Sequence, residues 1–351
     1  MSIFGGLKRH LGMTPQQSPL PPSAPWARAV HGVSALLARL HPRCRRANDG
    51  SGASVGPSES VGQYVLGEKL GEGGMGVVYK GSHAAHARPV AIKVLPRRRA
   101  SQENIRRFER EARLTRRLNH PNTIEVYDLG RTREGLPYYA MEYVDGLDLQ
   151  TLVERDGPLA PARVAQLLCQ LAGALSEVHA AGLIHRDVKP ANAMLCQRGA
   201  FDVVKLLDFG LSRAVSEPLS EEPAQYAPMA GTPLYLPPEA VTAPESLDAR
   251  SDLYSLGALG YFLLTGAPPF TGNSLVEVCG HHVHSAPVPP SVRLGARLPG
   301  RLEAIILACL DKSPERRPSS AAELQAWLRP LATVWRNEGT DADGVPTELA
   351  A

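Results

Sequence analysis

The sequence predicts an α+β fold of two lobes, a smaller β-rich half followed by a larger helix-rich half. Two patterns carry that expectation. Over residues 62–143, β-branched and aromatic runs are broken by glycine turns, with one helical stretch among them. Over residues 144–331, apolar residues recur at three-and-four spacing in "LDLQTLVERDG", "PARVAQLLCQLAGALSEVHAAG", "SDLYSLGALGYFLLTG", "LVEVCGHHVHS" and "RLEAIILACLDK". With 43% hydrophobic and 21% charged residues, a packed core is expected over most of this length. A cleft between two such lobes is a common place for a ligand.

Residues 1–61 read as a disordered, basic, Pro- and Ser-rich segment, with seven Lys or Arg against two acids over the first sixty positions. Inside it, Trp26, Val30, Val33, Leu37 and Leu40 mark one amphipathic helix at about 26–41. That helix either packs on the following domain or docks a partner, ahead of an interfacial membrane anchor. The acid-poor start also has a transit-peptide composition. Residues 332–351 read as an acidic, disordered tail.

The β-rich half opens with "LGEGGMGVVYKG", residues 70–81, whose Gly71, Gly73 and Gly76 keep a G-x-G-x-x-G spacing. In a dinucleotide-binding fold a helix would follow. Here Val77, Val78 and Tyr79 read as a strand, so the expectation is a hairpin flap able to cover phosphates with its amides. Taken alone, a glycine-bearing hairpin without a ligand is the plainer reading. "PVAIKVL" then embeds Lys93 in an apolar strand, and a charge there needs a partner unless its face is exposed. In "SQENIRRFEREARLTRRLNHPN", Ser101 can cap a helix whose inner face carries Ile105, Phe108, Ala112 and Leu118. Glu111 falls on or beside that face and is the expected partner of Lys93. The surrounding arginines read as a solvated face, and without interleaved aromatics they give no case for nucleic acid.

In the helix-rich half, "LIHRDVKPANAML" and "VVKLLDFGLSR" bring Asp187, Asn192 and Asp208 from two neighbouring segments flanked by apolar residues. Mg²⁺ takes oxygen ligands of this kind together with substrate phosphates. With these motifs in this order, the chain resembles a eukaryotic-type (Hanks-type) Ser/Thr protein kinase of the bacterial group, in which "GEGGMGVVYKG" is a frequent wording. The resemblance covers roughly residues 62–331 and implies a two-lobed protein kinase fold, with an N-lobe over 62–143 and a C-lobe over 144–331.

Carried over position by position, the resemblance implies that Leu70, Gly71, Gly73, Gly76 and Val78 cover ATP. Lys93 would hold its α- and β-phosphates, with Glu111 positioning Lys93. "YAMEYVDG" matches the hinge, with Met141 as gatekeeper and the backbones of Glu142 and Val144 available to adenine. Asp187 would orient the acceptor hydroxyl and take its proton, Lys189 would neutralise the transferring phosphoryl group, and Asn192 and Asp208 would bind Mg²⁺. Lys189 and Thr232 in "GTPLYLPPE" suggest Ser/Thr acceptors on protein substrates, the chain itself among them. A pseudokinase scaffold is the alternative, weighed down by the presence of Lys93, Asp187, Asn192 and Asp208.

Two departures bear on regulation. Pro238 replaces the usual alanine before Glu239, which should still pair with Arg317. Arg186 implies an activation segment ordered by phosphate, yet ahead of its Gly-Thr pair "EEPAQYAPMAGT" offers only Tyr226, so Ser216, Ser220 or the neighbouring acids are expected to serve. Asp252 would brace the catalytic loop. Cys279, His281, His282 and His284 look like metal ligands on paper, but match a helix end and proline turn. Five scattered cysteines without a C-x-x-C pair favour a reducing cytoplasm. No membrane span is expected.

Overall fold

The computed structural model describes residues 60–73, 76–199, 201–209, 213–214 and 233–338. The expected helix at 26–41, Ser216, Ser220, Tyr226, Thr232 and the tail beyond residue 338 lie outside the described residues. The first half contains β1 (Ser60–Val61), β2 (Tyr64–Glu72), β3 (Val77–His83), β4 (His86–Val94), α1 (Gln102–Thr115), β5 (Val126–Arg131) and β6 (Pro137–Glu142). The six strands form one antiparallel sheet in the order β1-β2-β3-β4-β6-β5.

Alternation along the strands divides the sheet into two faces. Val90 and Ile92 of β4 join Tyr138 and Ala140 of β6, with Tyr64 and Val61, on one face. Tyr139 of β6 joins Leu95, Phe108, Ala112 and Val126 on the other, beneath α1. Disorder had been expected through residue 61, but Val61 is drawn into the first cluster and β1 forms around it, against Tyr64 and Val65. As expected, Ser101 caps α1, its hydroxyl accepting from the Asn104 amide at 3.2 Å.

The second half begins with β7 (Leu147–Asp148), α2 (Leu149–Asp156) and α3 (Pro161–Ala180). Then follow β8 (Leu183–Ile184), β9 (Ala193–Arg198), β10 (Phe201–Leu206), β11 (Arg213–Ala214), α4 (Pro238–Thr242) and α5 (Ala249–Thr265). It closes with α6 (Leu275–His284), α7 (Pro290–Leu294), α8 (Gly300–Cys309) and α9 (Ala321–Glu338). Its core packs α3 and α5 against α8 and α9 through Leu171, Leu175, Leu259, Leu263, Ile306 and Leu328. α5 is apolar on almost every side because it is enclosed, and Gly257 lets α8 approach: a Cβ there would meet that of Cys309 at 2.5 Å.

α9 corrects the tail boundary. The helix runs seven residues past 331, and Leu331 packs with Leu324 and Leu328 against the core even though Pro330 lies within the helix. Among the described residues no helix is long and apolar enough to cross a membrane.

The halves are stitched beside the cleft. The Leu206 amide donates to the Asn122 carbonyl at 2.8 Å, the Ile124 amide to the Leu206 carbonyl at 3.2 Å, and Asn122 Nδ2 to the Val204 carbonyl at 2.7 Å. β10 is thereby held against the segment between α1 and β5, and the residues just after β10 inherit a defined position.

Candidate active site

Lys93 and Tyr139 are cross-strand partners in the β4–β6 register, so both side chains leave the sheet on the α1 side. α1 presents Glu111 to them, as the inner-face spacing of Phe108 and Ala112 requires. Lys93 Nζ donates to Glu111 Oε1 at 2.6 Å, and the Tyr139 hydroxyl donates to the same oxygen at 2.6 Å. Lys93 is 6% exposed and Glu111 2%. Burial opposes the charge on Lys93, but the neighbouring carboxylates of Glu111 and Asp208 outweigh it and hold its pKa well above the ordinary lysine range.

Lys93 also reaches across the cleft, 3.3 Å from Asp208 Oδ1. Asp208 sits at φ +59° and Arg186 at φ +69°, left-handed conformations that L-residues adopt at a cost of roughly 1–2 kcal/mol each. Both flank the cleft, and the surrounding contacts hold them there. Asp252 is one of those contacts. Its carboxylate accepts from the His185 and Arg186 amides at 2.8 Å each and lies 2.8 Å from His179 Nε2. Burial alone would raise the Asp252 pKa, yet the hydrogen bond and charge of His179 and the Arg186 amide leave it below the usual carboxylate range.

The loop between β8 and β9 gathers the second group. Lys189 Nζ donates to both carboxylate oxygens of Asp187, at 2.9 and 2.8 Å. Asn192 Nδ2 donates to the Asp187 carbonyl at 2.9 Å and to Oδ2 at 2.8 Å. The Asp187 carboxylate is thus held by two donors while its side chain remains 25% exposed. The Leu207 amide donates to the Asn192 carbonyl at 2.8 Å, which ties this loop to the residue before Asp208.

The glycine hairpin lies over Lys93. Leu70 belongs to β2, Gly71 pairs with Val78, and Val78 pairs with Lys93. A Cβ on Gly76 would meet the Val94 carbonyl at 3.0 Å, Lys93 Cγ at 3.2 Å and Phe108 at 3.4 Å, so a side chain there would make the flap or its neighbours give by a few tenths of an ångström. Gly71 and Gly73 have open space on their Cβ side. The flap is also latched: Glu72 is bonded to Lys69 at 2.7 Å, to Arg98 and to Arg99, and Arg99 bonds the Gly73 carbonyl. Hydrogen bonds from Lys69 and Arg98 pull the Glu72 carboxyl down to about 2.

At the other wall, the Glu142 amide is committed to the Glu125 carbonyl at 2.8 Å, so any backbone contact from Glu142 falls to its own carbonyl. The Glu142 side chain pairs with Lys205 at 2.7 Å and Arg198 at 3.0 Å. Val144 is buried in the cluster that continues into the helical half.

Lys93, Glu111 and Asp208 thus come together in one group and Asp187, Lys189 and Asn192 in a second, the two joined through residues 207–208, with Gly76 and Val78 beside Lys93. Away from it, Glu239 and Arg317 form the expected pair, with two bonds of 2.7 Å. His282 is buried and hydrogen-bonded through Nδ1 to the Tyr254 hydroxyl at 2.8 Å, which makes it part of the core. The sequence reading left three contributors out. Arg98 and Arg99, taken as solvated, hold the flap, and Tyr139, taken as a hinge-strand residue, touches Glu111. Only the β4–β6 register puts Tyr139 opposite Lys93.

A two-lobed chain with this cleft has the architecture of a protein kinase. The model of the family described as "Protein kinase domain" matches residues 64–328, and the chain belongs to that family. It is 43% identical over 296 residues to the serine/threonine-protein kinase PknB of Mycolicibacterium smegmatis, covering 83% of this chain and 46% of that one. It is 41% identical over 273 residues to the serine/threonine-protein kinase pkn3 of Myxococcus xanthus, covering 75% and 50%. The chain thus spans about half the length of the curated relatives it matches. Among solved structures, the kinase domain of Mycobacterium tuberculosis PknI, crystallised as a double mutant, superposes with a TM-score of 0.59 at 29% identity, over 80% of this chain and 100% of that one.

Proposed function

We propose that the chain is an ATP-dependent Ser/Thr protein kinase that transfers the γ-phosphoryl group to Ser and Thr hydroxyls of proteins, itself included. The observation that carries this is Lys93 Nζ, bound to buried Glu111 at 2.6 Å and 3.3 Å from Asp208. A lysine fixed between a helix carboxylate and a cleft carboxylate is placed to receive phosphate oxygens rather than to stabilise the core.

In this reading Leu70 and Val78 enclose the adenine side of ATP and the carbonyl of Glu142 and backbone of Val144 meet its edge. Gly71, Gly73 and Gly76 bring the flap over the phosphates, where open space beside Gly71 and Gly73 suits that approach. Asn192 and Asp208 supply oxygen donors fit for Mg²⁺, which when bound neutralises charge on the phosphates. Asp187, held by Lys189 and Asn192, orients the acceptor hydroxyl and takes its proton. Lys189 then neutralises charge on the transferring group. Because phosphoryl transfer has a loose transition state, positioning and charge neutralisation do most of this work. Among the described residues Cys196, Cys279 and Cys309 are free thiols, in keeping with a reducing, cytoplasmic setting.

The test is labelling of a generic basic protein from Mg-ATP by the purified chain, followed by identification of the labelled residues. The expected label lies on Ser and Thr and is lost on chelating the metal or with Asp208→Asn. Label on Tyr alone, or label indifferent to chelation, would overturn the proposal.

A further inference from the structure

The carboxylate of Glu111 is held in an uneven way. Its Oε1 accepts from both Lys93 and Tyr139 at 2.6 Å, while Oε2 is buried and accepts from no described group. A buried carboxylate keeps its charge only where hydrogen bonds and opposite charge replace water. Lys93 cannot do this alone, because its ammonium is shared with Asp208. The second donor is the Tyr139 hydroxyl, which is 4% exposed at the residue level and fixed from both sides. β6 holds its backbone opposite Lys93, and its ring lies against Phe108 of α1 with centroids 5.2 Å apart. Tyr139 therefore joins the sheet to the helix at the point where the ion pair forms.

We propose that Tyr139 is a positioning residue for phosphoryl transfer, its hydroxyl holding Glu111 and with it α1 in the arrangement that aims Lys93 into the cleft. This rests on the kinase reading of the site. In that reading, Lys93 must keep its orientation when phosphate oxygens compete for its donors. A Glu111 tethered to the sheet by a second, uncharged donor stays in place through that exchange. Without the hydroxyl, the side-chain hydrogen bond that ties Glu111 to the sheet among the described residues is the one from the lysine that the nucleotide is about to engage.

Tyr139→Phe removes the hydroxyl and keeps the ring, so its contact with Phe108 survives. Because a hydrogen bond to a charged group is stronger than one between neutral groups, the expected result is a loss of roughly tenfold or more in kcat/KM for ATP. KM for the protein acceptor should stay within twofold, which a general loosening of the fold would not spare. In a Glu111→Gln background the same substitution should have little further effect, since the two groups act as one unit. Hydrogen exchange over α1 in the full chain should speed up in Tyr139→Phe, while exchange over α3 and α5 should not. A variant within twofold of the parent in kcat/KM, a loss undiminished beside Glu111→Gln, or unchanged exchange over α1 would each overturn the proposal. The exchange readout needs no turnover. An inactive parent chain would therefore count against the kinase reading, while α1 exchange would still decide what Tyr139 does.

Discussion

A lysine and a glutamate inside a protein core are tolerable only as a pair. Removing one partner from such a pair leaves the other charge without compensation, typically at about 3–5 kcal/mol. Lys93→Met should therefore destabilise the chain by about that amount in urea unfolding, besides stopping transfer. A loss under about 1 kcal/mol would contradict a buried, charged Glu111. The pair itself was legible in the sequence, because one charge stood inside an apolar strand and another lay on the apolar face of the next helix. Tyr139 was not, since a tyrosine in a strand is ordinary and its partner is decided by a register that depends on the whole sheet. The positive φ angles of Arg186 and Asp208 were equally hidden, because neither residue type demands them and tertiary contacts, such as that of Asp252 with the Arg186 amide, do not show in a sequence.

At the scale of elements, the hairpin of β2 and β3 lies close on the Lys93 stem because Gly76 carries no side chain there. Gly76→Ala would set a Cβ 3.0 Å from the Val94 carbonyl, a backbone atom that has little freedom to retreat. Overpacking of this kind costs about 1–3 kcal/mol, so KM for ATP should rise roughly fivefold or more while KM for the acceptor is unchanged. Equal KM for ATP in the variant would mean that the flap does not bear on the nucleotide. That the glycines form a hairpin was readable from the strand-forming run after Gly76. That Arg98 and Arg99 latch it was not, because a cluster of arginines on a helix and its approach usually faces solvent. Two boundaries were misplaced for a related reason: Val61 and Leu331 each pack against a core cluster, whereas composition assigns their surroundings to disorder.

For the whole molecule, the helical half is held by buried ionisable groups as well as by leucines, and their titration sets the acid limit of the fold. Burial, with the neighbouring Lys312 charge, pushes His282 down to about 4. The unfolded histidine takes its proton near pH 6.5, so stability falls as pH drops below that value and goes on falling until the folded group titrates near 4, a loss of about 3 kcal/mol. Glu239 and Asp252 act lower. Burial works against both charges, but Arg317 and His179 leave both carboxyls below their ordinary values. Their contribution is complete above the unfolded carboxylate range and is lost as pH falls through the lowered folded values. Urea midpoints measured from pH 7 to 3.5 should decline from about pH 6.5 and steepen below about pH 4. His282→Gln should flatten the upper part of that curve, and an unchanged slope there would contradict the assignment.

The central claim is that Asp187, Lys189 and Asn192 act with Lys93, Glu111 and Asp208 as a single phosphoryl-transfer site. The most direct test is single-turnover transfer from Mg-ATP to a Ser/Thr acceptor, comparing the parent chain with Asp187→Asn while measuring Mg-ATP affinity in both. General-base removal typically costs ~10²–10⁴-fold, so transfer should fall by that factor while affinity stays within a few-fold. Transfer at the parent rate in Asp187→Asn would contradict the account.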